Sequence, residues 1–315
     1  MPEILTPVAG DYAPDRVRRL FELLKQQYLR CMSTAEDRLR NCPPKTTIVL
    51  RTWGDVDPHA PEPDTSDARA TTLIARLPGL CVGNKLILGD ETTLQRVGMT
   101  VVYDEQLNLL GVVDAGFLTD LRTALMAALA VDLCHPHMTD MVRVGFLGTG
   151  ATNVRTAWVF HLLFGVTRFV WRGSPRCRDR NLAEVQALVP AAEFVVDAGV
   201  PAVEMWDCGV VISSTSNGVR ADALTYGEAS HARVYVAQDL GWGLGPSIRK
   251  QTDCYADHPE QINRHLASHF PWDSRLPDLH PLAEAPAATA SQVSVYLHGI
   301  GLADLVVAYE ALGGL

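Results

Sequence analysis

Gly148 and Gly150 stand at the end of the short apolar stretch Val142–Leu147, and a helix-compatible segment, Ala151–Phe164, follows at once. Strand, tight turn and helix in that order can hold a pyrophosphate. The first N–H groups of a helix lack partners within it, and the helix dipole favours an anion there. Gly148 permits the turn, and Gly150 lets the backbone approach phosphate oxygens with no Cβ in the way. Asn153 occupies the third fingerprint position, where Gly or Ala is usual. The candidate nucleotide contacts are therefore Gly148, Thr149, Gly150, Ala151, Thr152 and Asn153. An ordinary strand-to-helix turn is the other reading of this stretch.

The next apolar run ends in Val170-Trp171-Arg172-Gly173-Ser174. In a dinucleotide-binding unit an Asp or Glu at this place accepts the ribose hydroxyls. Arg172, Ser174, Arg176 and Arg178 stand there instead. Guanidinium groups and a hydroxyl suit a 2′-phosphate, which a carboxylate would repel. This favours NADP(H) and leaves NAD(H) open; a solvated basic loop would carry the same residues. Ser213–Asn217, with Ser214 and Thr215 in it, follows a further apolar run. Its small hydroxyl residues can line the nicotinamide side of a crevice or form a plain polar loop. Lys85, Arg122 and Asp239 are spread along the chain, and their spacing does not join them. His265 and His269 are four apart but have no motif glutamate and no evident third ligand, so no metal site is assigned.

The elements that must position these residues can be read from periodicity. Asp15–Met32 puts Val17, Leu20, Phe21, Leu24 and Tyr28 on one helical face. Lys45–Arg51, Thr71–Leu77, Lys85–Leu88, Met99–Tyr103 and Leu109–Val113 read as strands of a mostly antiparallel sheet, with Gly54–Asp67 a long Pro- and Asp-rich loop. Asp120–Leu133 is a strong helix. Beyond it the pattern changes to strands at Val142–Leu147, Thr167–Trp171, Phe194–Val196, Val210–Ser213 and Val234–Ala237, with helices at Asn153–Phe164 and Arg178–Leu188 between the first of them. That alternation implies a parallel sheet with its ligands at the carboxyl ends of the strands. Helices are also expected at Asp257–Phe270 and Ile300–Leu312, with a Pro-rich connection through Ala287.

At 315 residues two domains are expected, and 47% hydrophobic with 20% charged residues describes a globular chain. The net charge of −9 argues against a nucleic-acid surface. No apolar run is long enough to span a bilayer, and the acidic N-terminus lacks a signal pattern, so a cytoplasmic protein is expected. The seven cysteines are dispersed, never in CxxC spacing, and read as reduced and mostly buried.

Several blocks in order resemble the ornithine cyclodeaminase/μ-crystallin family. Asp114–Ala128, DAGFLTDLRTALMAA, is similar to its D-G-x-x-(I/L)-T-x-x-R-T-A-A block. Val82-Gly83-Asn84-Lys85-Leu86 resembles its substrate-lysine strand, VGFLGTGATN its nucleotide loop, VVISSTSN its strand-four loop, and His298–Ala308 its closing G-x-A-x-x-D block with Gly299 and Asp304. The resemblance runs from about Pro43 to Ala308.

The resemblance implies an α/β fold: a Rossmann-type doubly wound parallel sheet plus a smaller α+β substrate and dimerisation domain. The expected division is residues 1–122 with 291–315 for the substrate and dimerisation domain, and 123–290 for the dinucleotide-binding domain. It implies an NAD(P)-dependent oxidoreductase at the C–N bond of a small α-amino or α-imino acid, an imine reductase or amino-acid dehydrogenase. A redox-neutral cyclodeaminase releasing ammonia and a non-catalytic binder of nucleotide or small ligands are the alternatives. Arg122, with Lys45 standing where Arg is usual, would bind the substrate carboxylate. Lys85 would bind and polarise the substrate, and Asp239 would move the proton. The pocket is expected between the sheet domain and the Rossmann crevice, in a homodimer. Thr152 replaces a family Gln, which favours net redox chemistry over cyclodeamination.

Overall fold

The computed structural model describes residues 4–50, 68–90, 95–136, 143–173, 178–196, 205, 207–215, 224–239, 243–263, 279–285 and 291–314. The chain divides into two compact units. One comprises Met1–Tyr12, Thr34–Thr119 and Ile300–Leu315; the other comprises Ala13–Ser33 and Asp120–Gly299.

In the first unit β1 (Ile4–Leu5), β2 (Thr46–Leu50), β3 (Ala68–Leu77), β4 (Cys81–Asp90), β5 (Gln95–Tyr103) and β6 (Leu109–Asp114) form one sheet, in the order β1-β6-β5-β4-β3-β2. All neighbours are antiparallel except β1, which runs parallel to β6. Alternation sorts the faces: Cys81, Gly83 and Lys85 are buried, while Asn84, Leu86 and Leu88 are exposed. The final helix, Gly301–Ala311, packs on the buried face. Its Leu305 lies 2.6 Å from where a Cβ on Gly83 would stand, so the missing side chain is what admits the helix. Ala35–Asn41 is a further helix, which the sequence reading did not anticipate. Thr34 caps it, its hydroxyl oxygen accepting the Asp37 N–H at 3.0 Å.

In the second unit all eight strands are parallel: β7 (Val144–Leu147), β8 (Arg168–Arg172), β9 (Glu193–Val196), β10 (Val210–Ser213), β11 (Val234–Ala237), β12 (Asp253–Ala256), β13 (His280–Pro281) and β14 (Val293–Tyr296). The order β13-β12-β14-β11-β10-β7-β8-β9 is doubly wound, and its direction of winding reverses between β7 and β10. Strands β7, β10, β11 and β14 are buried at every position, which explains their continuous rather than alternating apolar runs. Helices Ala151–Phe164 and Arg178–Leu188 are the crossovers to β8 and β9. The N-terminal helix Pro14–Met32 also belongs here, through the face that its spacing predicts. Phe21 meets Phe164 edge-on, Lys25 pairs with Asp132 at 2.7 Å, and the Tyr28 hydroxyl donates to the Asp257 carbonyl at 3.0 Å.

Strands β12 and β14 depart from the expected pattern: Asp253 opens the first and Ser294 interrupts the second, so neither reads as an unbroken apolar run. The stretch expected to be helical from Asp257 is so over 259–263. The remainder of that stretch, with His265 and His269, lies outside the described residues, as do Gly54–Asp67, Ser174, Arg176 and Cys177. Cys31, Cys42, Cys81, Cys134, Cys208 and Cys254 are free and buried, as their dispersal suggests. Among the described residues no helix is long and apolar enough to cross a membrane.

Candidate active site

At the reversal point of the second sheet, Gly148 leaves β7 with φ 98°, and the Ser214 carbonyl oxygen lies 2.2 Å from where its Cβ would be. No other residue type meets both conditions without displacing the backbone after β10. Asn153 explains the departure from the usual fingerprint. It is fully buried, and its Nδ2 donates to the carbonyls of Leu147 (3.0 Å) and Gly148 (2.9 Å), so it ties the turn to its own helix. Thr149 is held through its carbonyl by Asn181, and the Thr152 hydroxyl donates to Asp120 at 2.7 Å. Gly150 caps the helix, and among the described residues nothing lies within 4 Å of its Cβ position. Ala151 is exposed just after it. A helix N-terminus whose cap residue carries no side chain fits a pyrophosphate.

The end of β8 adjoins this turn: Gly148 N–H donates to the Arg172 carbonyl at 2.7 Å, and a Cβ on Gly173 would lie 3.1 Å from Thr149. The Arg172 side chain is already engaged. Its Nη1 donates to Glu228 Oε1 at 3.0 Å, and both side chains are largely buried. Glu228 follows an extended Thr225, whose N–H and hydroxyl each donate to Glu228 Oε2 at 2.7 Å. Partial burial works to raise the Glu228 carboxyl, but Thr225 and Arg172 outweigh it and hold it below its ordinary value. The sequence reading had no reason to bring Glu228 to this strand.

Asp239 lies just past β11, beside the end of β10. Its Oδ2 accepts the Ser213 hydroxyl at 2.5 Å, the Thr215 N–H at 2.8 Å and the Thr215 hydroxyl at 2.7 Å. The loop after β10 thus fixes a carboxylate at the carboxyl edge of the sheet, where ligands of this topology bind. Ser214 is half-buried, and its N–H donates to the Leu147 carbonyl at 2.9 Å.

Arg122 lies against the turn after β14. A Cβ on Gly299, at φ 77°, would stand 2.7 and 2.9 Å from its two terminal nitrogens. The same turn binds Asp257, a fully buried carboxylate that accepts the N–H groups of His298 and Gly299 at 3.1 Å. Burial drives the Asp257 carboxyl upward, against those N–H groups and the charges of His258 and Arg122. Sequence reasoning missed Asp257, because its role comes from backbone donors forty residues away along the chain.

In the first unit Lys85 is a cation on the buried face of β4. Its Nζ donates to Asp304 Oδ1 at 2.6 Å and to Thr119 Oγ1 at 2.7 Å, and Thr119 donates in turn to the Ala115 carbonyl. The side chains of Lys85 and Asp304 are only 1% and 3% exposed. An ion pair this deep recovers little more than its desolvation cost, and an apolar pair of similar volume would serve stability as well or better. Lys45, just before β2, is half-buried in the same unit.

No protein-family model matches the chain, and no curated protein sequence does. Solved structures do match it along its length. The Δ1-pyrroline-2-carboxylate reductase of Thermococcus litoralis, in complex with NADH and L-proline, is similar at TM-score 0.70 and 13% identity, covering 100% of this chain and 97% of that one. A lysine cyclodeaminase, described for its recognition of L-lysine, L-ornithine and L-2,4-diaminobutyric acid, is similar at TM-score 0.72 and 19% identity, covering 100% and 92%. The iminosuccinate reductase of Paracoccus denitrificans, in complex with NAD+, is similar at TM-score 0.68 and 17% identity, covering 99% and 96%. These likenesses show a shared fold.

Proposed function

We propose that this protein is a nicotinamide-dinucleotide-dependent oxidoreductase acting on the C–N bond of a small α-amino or α-imino acid. One observation carries the reading: the Gly148 turn after β7 and the Asp239 carboxylate after β11 lie at the carboxyl ends of the two strands that flank β10, beside the reversal point of one parallel sheet. The reactions named for the similar structures support the substrate class. Gly148, Thr149, Gly150, Ala151, Thr152 and Asn153 form the pyrophosphate cradle, with Asn153 acting through the turn it holds. A nicotinamide dinucleotide held there would supply hydride-transfer chemistry at the α-carbon. Arg122 and Lys45 bind the carboxylate. Lys85 places positive charge on the substrate, and Asp239 takes or gives the proton at nitrogen. The buried free cysteines suit a reducing compartment, the cytoplasm.

The test is turnover of a panel of α-amino acids and cyclic or open imino acids, following nicotinamide absorbance and ammonia together. A stoichiometric absorbance change is expected. The fold shared with a lysine cyclodeaminase favours a second reading, which ammonia release from a diamino acid without net absorbance change would establish. Binding of dinucleotide without either signal would point to a binding protein. Asp239→Asn keeps an oxygen for Ser213 and Thr215 but loses the titratable group. We expect kcat to fall about 10²–10⁴-fold with dinucleotide affinity retained. Near-normal turnover would remove Asp239 from the chemistry.

The sheet face opposite the final helix exposes Ile74, Leu86, Leu88, Val97 and Met99. An apolar patch on consecutive strands suits contact with a second copy of the chain. Leu86→Glu combined with Met99→Glu is expected to convert a dimer to a monomer in light scattering. Native protein that is already monomeric at micromolar concentration would refute this assembly.

A further inference from the structure

Arg172 is the residue that a sequence reading assigns to a 2′-phosphate, and Glu228 is the residue that the fold sets upon it. Their contact is a single bond of 3.0 Å between side chains that are 17% and 25% exposed. Glu228 is not a loose surface acid that a ligand could push aside. Both of its oxygens are engaged, one by Arg172 and the other by the Thr225 N–H and hydroxyl. The segment that carries it is itself pinned. Leu224 bridges Leu244, Gly245 N–H donates to the Leu224 carbonyl at 2.7 Å, and Tyr226 N–H donates to the Ser247 hydroxyl at 2.9 Å. The strand end that carries Arg172 abuts the Gly148 turn, where the ribose next to the pyrophosphate is read in this topology.

We propose that Glu228 is the specificity-determining residue for the ribose 2′ position. It neutralises Arg172, accepts a 2′-hydroxyl and disfavours a 2′-phosphate. The acid that usually ends the second strand is thus supplied from the segment between β10 and β11, and the arginine at the strand end serves to hold it. A 2′-phosphate would have to bring its negative charge beside a fixed carboxylate and compete with it for one guanidinium. This inference rests on the dinucleotide reading above and assigns its cofactor preference to NAD(H).

The test is equilibrium binding of NAD+ and NADP+ to the full chain, by fluorescence quenching or calorimetry. Native protein is expected to bind NAD+ more tightly. Glu228→Gln leaves Arg172 its charge and keeps an oxygen for Thr225. It is expected to improve the NADP+/NAD+ affinity ratio about 10- to 100-fold. Arg172→Gln is expected to weaken NADP+ further, and Glu228→Gln made in that background to recover little of the ratio. Should Glu228→Gln fold poorly, the Arg172→Gln arm still decides. An unchanged ratio in both single variants, with NAD+ still bound, overturns the role of Glu228 and leaves the dinucleotide reading standing. Failure of the native chain to bind either dinucleotide overturns both.

Discussion

Lys85→Met is expected to lower turnover by about 10²–10³-fold, the scale on which loss of one positioned charge donor acts in a water-excluded site. The same change is expected to destabilise the fold by roughly 3–5 kcal/mol, because it strands the Asp304 carboxylate in a buried position. The two effects can be separated. Lys85→Met combined with Asp304→Leu removes both charges and replaces them with apolar side chains on a face already lined by Leu73 and Leu305. Stability in urea should then return to within about 1 kcal/mol of native or exceed it, while turnover stays low. A double variant that regains both stability and turnover would make the pair a structural feature only. If the fold needed nothing but packing here, two apolar residues would suffice.

What was legible in the sequence follows from how local each signal is. The Gly148 turn could be found because strand, glycines and helix are contiguous, and a parallel central strand announces itself as a short unbroken apolar run. Lys85 could be placed on a strand, but alternation alone does not tell which face a helix from the far end of the chain will cover. Asp304 supplies that answer more than two hundred residues later. Asn153 read as a defect in the fingerprint, and only the carbonyls it binds show it as the staple of the turn. Glu228 and Asp257 gave no signal. The first acts on a strand end formed fifty-six residues earlier, and the second is defined by backbone N–H groups after a strand whose apolar run Ser294 interrupts. Polar residues that work through distant partners carry no periodicity, so pattern reasoning passes over them.

The two glycines of the turn should both lose dinucleotide affinity on substitution by alanine but differ in stability, and the contrast locates the dinucleotide. Gly148→Ala places a methyl 2.2 Å from the Ser214 carbonyl oxygen, at a φ of 98° that costs a residue with a side chain about 1–3 kcal/mol by itself. The carbonyl must move, and Ser213 and Thr215 on either side of it are the residues that bind Asp239. The expected result is a markedly lower melting temperature together with loss of dinucleotide binding and turnover. Gly150 has an ordinary φ of −77° and open space where its Cβ would be, so Gly150→Ala should melt as the native chain does. If the pyrophosphate sits against the helix N-terminus, that methyl occupies its place, and dinucleotide affinity should fall about tenfold or more. Equal affinity in Gly150→Ala and native protein would move the phosphate away from this helix. Loss of affinity at unchanged stability would put it there, because the space that the methyl enters touches nothing else among the described residues.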